Sequence, residues 1–113
     1  MGNPIIWDME YTLMANTFGN PIILDTFTSD IDLGLSAFGI SEVPFYINHI
    51  EWQAPDNTTH QAIVRDSYGG IVFDEKCTVA HQSVFKPFGG QIVMGLKIVS
   101  GEVGSGKISI KIG

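Results

Sequence analysis

Lys107-Ile108-Ser109-Ile110-Lys111-Ile112, near the end of a 113-residue chain, alternates strictly between polar and apolar residues. Successive side chains of a strand point to opposite faces, so this period of two places three isoleucines on one side and polar groups on the other. Upstream, Gln91 to Val99 repeats the pattern and predicts Ile92, Met94, Leu96 and Ile98 facing inward. Ala62-Ile63-Val64 leads into Asp66-Ser67-Tyr68-Gly69-Gly70, a turn whose glycines tolerate positive φ, and Ile71 and Phe73 follow it, with Cys77 and Val79 continuing the strand. Phe45 to Ala54 is β-rich, but Phe45 and Ile47 are out of phase with Ile50 and Trp52; a bulge near Asn48-His49 puts all four inside. Pro55-Asp56-Asn57 ends that strand. Five or six short strands with no convincing helix predict a compact antiparallel β-sandwich, jelly-roll-like, with its core over residues 45–113.

Residues 1–44 differ. Gly2-Asn3-Pro4-Ile5-Ile6-Trp7-Asp8 recurs as Gly19-Asn20-Pro21-Ile22-Ile23-Leu24-Asp25, with six identities in seven positions. Two Gly-Asn-Pro turns, each launching a short apolar strand, predict an extended N-terminal arm that pairs with sheet edges, in this chain or in a neighbour. The plainer alternative adds both copies to the same sandwich. Met14 is a possible start codon, which would make the first copy an extension. Residues Thr26 to Ser41 read as a loop with one turn of helix.

Composition narrows the function classes. A hydrophobic content of 44% with only 16% charged residues marks a globular chain whose surface is unusually neutral, as expected if part of it is covered in use. From Met1 to Val64 there are eight acids and no Lys or Arg, whereas Arg65 to Gly113 holds six bases against four acids. Such a split governs encounters with neighbours more than folding. With a pI of about 4.7 the chain is a poor nucleic-acid binder. Cys77 is alone, so stability must come from packing or assembly. No apolar run approaches the roughly 20 residues of a membrane span, and the N-terminus lacks the pattern of a signal peptide, so the chain reads as made in the cytosol.

Candidate sites fail on context. Gly101-Glu102-Val103-Gly104-Ser105-Gly106-Lys107 has the glycine and lysine spacing of a phosphate loop. Ile108 stands where the magnesium-binding Ser or Thr belongs, and a strand follows instead of a helix, so a hairpin turn is the better reading. Asp30-Ile31-Asp32-Leu33-Gly34 hints at a calcium loop, but Ser41 replaces the bidentate Glu. Cys77 and His81 are about 13 Å apart on a strand, too far to share a metal. His49 and His60 lack sequence-near partners, no nucleophile has a recognisable activating neighbour, and no cofactor or metal is expected. Asn57-Thr58-Thr59 is a glycosylation sequon, relevant only on a secretory route. Tyr46, Trp52, Tyr68, Phe85 and Phe88 could stack on sugars, although Trp52 is in phase with the core. Phe85-Lys86-Pro87-Phe88-Gly89-Gly90 reads as a loop with two aromatics bracketing Pro87.

Three stretches carry a family resemblance: Ile47-Asn48-His49-Ile50-Glu51-Trp52-Gln53-Ala54-Pro55, Ile63 to Phe73 with its Asp-x-x-Gly hairpin, and Gly95-Leu96-Lys97-Ile98 with Ser105-Gly106-Lys107-Ile108-Ser109-Ile110 as a closing hairpin. Over residues 45–112 the chain resembles small β-sandwich virion proteins of tailed bacteriophages, of the capsid decoration or cement kind. The resemblance implies a non-enzymatic homo-oligomer on the capsid surface, of a size the sequence leaves open; a trimer would suit a local threefold axis. Its partner would be the major capsid protein, with no nucleic acid or membrane bound. The doubled Gly-Asn-Pro-Ile-Ile arm lies outside that pattern. Expected contacts are Ile5, Ile6, Trp7, Ile22, Ile23 and Leu24 in the arms, then Phe85 and Phe88. The alternative is a carbohydrate-binding or adhesion module of a tail or head fibre, and an enzyme with clustered acids in a cleft comes third.

Overall fold

Strict alternation makes Lys107–Ile112 the strand on which one sheet is built, and the computed structural model, which describes residues 16–113, shows what flanks it. In chain order the elements are β1 (Ile22–Leu24), β2 (Ile31–Asp32), α1 (Leu33–Phe38), β3 (Pro44–Gln53), β4 (Gln61–Arg65), β5 (Ile71–Lys76), β6 (Val84–Met94), β7 (Lys97–Ile98) and β8 (Lys107–Ile112). They form two antiparallel four-stranded sheets, ordered β1-β8-β3-β6 and β2-β7-β4-β5. Their inner faces close on one apolar core, the β-sandwich that the alternating patterns predict.

The bulge falls where the phase slip in β3 requires it. Ile47 pairs with Ile112 and His49 with Lys111, so Asn48 is the extra residue. Phe45, Ile47, Ile50 and Trp52 are thereby all buried in the first sheet. Burying each such side chain contributes roughly 1.5–3 kcal/mol relative to leaving it exposed. Trp52 would leave an indole N–H orphaned in that core, but its Nε1 donates to the Ser105 carbonyl at 2.7 Å. The Asp-x-x-Gly turn also forms: Asp66 Oδ1 accepts from the Tyr68 and Gly70 amides at 2.9 and 2.8 Å, joining β4 to β5. The turn of helix expected between Thr26 and Ser41 is α1, capped by Asp32, whose Oδ1 accepts from the Leu35 amide, and closed by Gly39 at φ 75°.

Four expectations need correction. First, the second Gly-Asn-Pro copy takes the plainer alternative and is a strand of its own sandwich, not a contact for a neighbour: Ile22 pairs with Ile110 and Leu24 with Ile108 of the same chain. The Asn20 side chain extends that ladder, donating to the Ile112 carbonyl at 2.7 Å and accepting from its amide at 3.0 Å. The sandwich therefore begins by Ile22 instead of at residue 45. Second, residues 85–90 are a strand, not a loop. Pro87 is tolerated because β6 is an edge strand, and three residues with Gly89 and Gly90 at positive φ are extruded opposite Asn48. Third, the alternation from Gln91 to Val99 changes phase at Gly95. Leu96 and Ile98 are buried, but Ile92 and Met94 face solvent while Val93 faces the core. Fourth, Gly95–Ile98 and Lys107–Ile112 do not form a hairpin. β7 and β8 belong to opposite sheets, and residues 99–106 cross between them.

Candidate functional site

The reversal at Gly95 creates the most distinctive surface of the molecule. Gly95 adopts φ 77°, and a Cβ there would collide with Ser67 Oγ, so only glycine fits the corner. Before it, the outward positions of β6 pair with those of β3: Ile92 with Tyr46, and Met94 with Pro44. Ile92 is 57% exposed and Tyr46 54%. Phe38 and Ile40, at the end of α1, are exposed as well, and the Phe38 ring lies 5.9 Å from that of Phe45. Beside Tyr46 a cavity of about 430 Å³ opens between Asn20, Phe38, Pro44 and Ile112, with no ionisable group other than the Tyr46 phenol among its side chains. An exposed apolar region without charged side chains at one end of a sheet is a candidate contact surface. The alternation rule pointed Ile92 and Met94 the wrong way; the signal that could have corrected it was the glycine at position 95.

The predicted contact residues scatter. Ile5, Ile6 and Trp7 lie outside the described residues. Ile22 and Leu24 have no exposed surface, so they are core residues of this chain and not contacts for another. Ile23 points the other way, half-buried, with its backbone paired to Thr17 at 2.8 and 2.9 Å. Phe85 is exposed on the outer face of the first sheet, its ring 4.7 Å from that of His49. Phe88 is half-buried against the core, with Lys86 Nζ 5.5 Å from its ring centroid. The five aromatics considered for sugar stacking do not share a face: Trp52 is fully buried, and Tyr68 sits on the β4–β5 turn of the other sheet.

The polar clusters hold loops together. His60 Nδ1 is 2.8 Å from Ser105 Oγ and 3.5 Å from Asp56 Oδ1, which brings a Ser, a His and an Asp into one place. A nucleophilic triad needs the imidazole to meet Ser and Asp through opposite nitrogens. Here both meet the same one, and Ser105 Oγ also accepts from the Asp56 amide at 3.0 Å. The cluster pins residues 56–60 to the crossover. Two glycines of this segment have packing reasons: a Cβ on Gly104 would strike the His60 ring, and one on Gly106, at φ 77°, the Gln53 carbonyl, whereas Gly101 stands in open space at φ 89°. Arg65 clamps the same crossover, donating from Nε and Nη2 to the two Glu102 carboxylate oxygens, each at 2.9 Å. That hydrogen-bonded pairing holds the Glu102 carboxyl below the usual carboxylate range, against an opposing effect of burial. Tyr68 donates to Glu42, which raises its phenol pKa.

The aspartates of the calcium-like segment are occupied as caps: Asp32 Oδ2 accepts from Ser41 Oγ, and Asp30 Oδ1 from the Ser100 amide at 2.8 Å. Among the described residues no group of three or more His, Cys, Asp or Glu could hold a metal, and no helix is long and apolar enough to cross a membrane. Comparison with protein-family models, with curated proteins and with solved structures finds no match.

Proposed function

We propose that this chain is a non-enzymatic structural protein of a tailed-phage virion, binding the capsid surface as a decoration or cement protein and working as a homo-oligomer, a trimer where it sits on a local threefold axis. The observation that carries this reading is the apolar end of the first sheet, where Phe38, Ile40, Tyr46, Ile92 and Met94 are exposed beside a cavity whose lining side chains carry no charge. Such a region gains by being covered, and a rigid sandwich holds it ready without ordering cost on binding. The acidic first part of the chain, including Asp25, Asp30, Asp32 and Glu42, supplies the charge that would meet a basic patch on the major capsid protein. The resemblance of residues 45–112 to phage head proteins gives the class of partner.

The experiment is capsid occupancy by the full chain and by a chain lacking residues 1–13, on purified shells. Saturable binding at fixed stoichiometry supports the reading, and loss on deletion places the first arm in the contact. No binding by either chain refutes it.

A further inference from the structure

Antiparallel strands alternate hydrogen-bonded and non-bonded residue pairs, and the start of β3 fixes that alternation for the end of β6. The Gly95 amide donates to the Val43 carbonyl at 2.8 Å, so Val43–Gly95 is a bonded pair and Pro44–Met94 is not. By the same count Phe45–Val93 is bonded and Tyr46–Ile92 is not. The Tyr46 carbonyl instead accepts from the Gly113 amide, on the β8 side, at 3.0 Å. The amides and carbonyls of Ile92 and Met94 therefore point away from β3, to the outer edge of the first sheet. Ser67 already donates its amide to the Met94 carbonyl at 2.9 Å. The amide and carbonyl of Ile92 and the amide of Met94 have no backbone partner among the described residues.

The other edges are guarded. Thr17 engages the outer edge of β1, β2 is two residues long, and β5 carries Asp74, Glu75 and Lys76. The first half of β6 is protected by Lys86, Pro87 and the extruded Gly89-Gly90. Gln91-Ile92-Val93-Met94 carries no charge, and Ile92, Met94 and Tyr46 present exposed apolar surface beside it. An open edge of this kind is a template for an added strand.

Charge says what strand it would take. Ser67 ties this end together, bonding Met94 through its amide and the Ser41 carbonyl through its hydroxyl. The segments that meet there, 38–48, 66–70 and 90–96, contain Glu42 and Asp66 and no Lys or Arg. Asp66 is engaged by the Tyr68 and Gly70 amides, which leaves Glu42, exposed and held by the Tyr68 hydroxyl, at the end of the open edge. An acidic or phosphate-bearing ligand is repelled here and a basic one attracted. We propose that this edge takes an extended, apolar and basic segment of the shell protein, added as an antiparallel strand beside Ile92 with a Lys or Arg on Glu42.

The register follows from the open groups. A partner residue facing Ile92 exchanges both backbone bonds with it, and the residue two before accepts from the Met94 amide. Their side chains fall on the face of Tyr46, Ile92 and Met94, where an apolar residue opposite Ile92 is favoured. Past Met94 the Ser67 contact closes the edge. The added strand turns off there beside Tyr68, and its basic side chain meets the Glu42 carboxylate. The cavity on the β8 side of Tyr46 is left clear, so copies of this chain can still meet there.

This inference rests on the capsid reading above, and its test separates the two. Binding of the full chain to purified shells is measured for the parent, Ile92→Lys, Glu42→Lys and, as a control on the other sheet, Asp74→Lys. Ile92→Lys is expected to raise Kd about tenfold or more, by removing apolar contact and opposing the incoming base. Glu42→Lys is expected to raise it about fivefold and to flatten its salt dependence, with Asp74→Lys within about twofold of the parent. The substituted positions are exposed, so all three variants are expected to melt within about 3 °C of the parent. A benzophenone on Met94→Cys, irradiated on the shells, is expected to capture an apolar segment of the shell protein that contains Lys or Arg; Cys77 is buried and stays unlabelled. Undiminished binding by Ile92→Lys or Glu42→Lys overturns the inference and leaves the capsid reading standing. Capture of another copy of this chain, or of a segment without a base, does the same. A parent that does not bind shells removes both.

Discussion

Leu24→Ala measures whether the second Gly-Asn-Pro copy is part of its own sandwich. Leu24 has no exposed surface and lies opposite Ile108 in the first sheet. Truncation removes three carbons, worth about 0.8 kcal/mol each in transfer, or about 2.4 kcal/mol, and the partly relaxed cavity brings the loss to about 3 kcal/mol. For a domain of this size that lowers Tm by roughly 12–15 °C. Ile23→Ala, one residue away on the half-buried outer face, should cost about 1 kcal/mol or less, near 5 °C. Urea melts followed by tryptophan fluorescence give both free energies, an unchanged m-value keeps the comparison two-state, and thermal melts give the two Tm shifts. Equal losses from the two variants, or a Leu24→Ala midpoint within about 2 °C of the parent, would refute the register that buries Ile22 and Leu24.

The Arg65–Glu102 clamp has a pH signature. Because the folded-state pKa of Glu102 is depressed, its contribution is complete above the ordinary carboxylate range of about 4.3 and is lost as pH falls through the lower folded value. Glu102→Gln should therefore melt about 2–4 °C below the parent at pH 7 and converge with it in acid, whereas a constant gap across pH would exclude the ion pair as the cause. Gly106→Ala combines a positive φ with a collision on the Gln53 carbonyl and should cost about 2–4 kcal/mol. Gly101→Ala, at φ 89° with open space around it, should cost about 1 kcal/mol, and thermal melts order the two. With Trp52 buried and Tyr68 on the other sheet, the isolated domain is expected to bind nothing on a glycan array, and one strong specific hit would favour the adhesion alternative.

What the sequence makes legible follows the residues whose local pattern and tertiary role agree. The phase slip between Ile47 and Ile50 announces a bulge, and the alternation of Ile108 and Ile110 announces a buried strand; both describe a single strand against one core. The misread features depend on which neighbour a strand has. Lys86-Pro87 and Gly89-Gly90 look like a loop because an interior strand could not hold them, yet an edge strand can. Ile92 and Leu96 appear in phase only if the chain runs straight through Gly95, and the left-handed turn there breaks the count. Residues 99–106 carry hairpin chemistry, but a turn sequence does not say whether its two strands pair with each other or with different sheets. The exposed apolar residues are the least legible, because apolar side chains facing solvent and apolar side chains facing a core look alike in one dimension.

The most direct test is the mass of the intact chain by light scattering, followed across concentration on a sizing column. A molecule that works through its exposed apolar end is expected to run as a defined oligomer, about three times the 12.3 kDa of one chain in the trimeric case. A mass of one chain at every concentration up to the high micromolar range, with the apolar end left uncovered, would contradict the account.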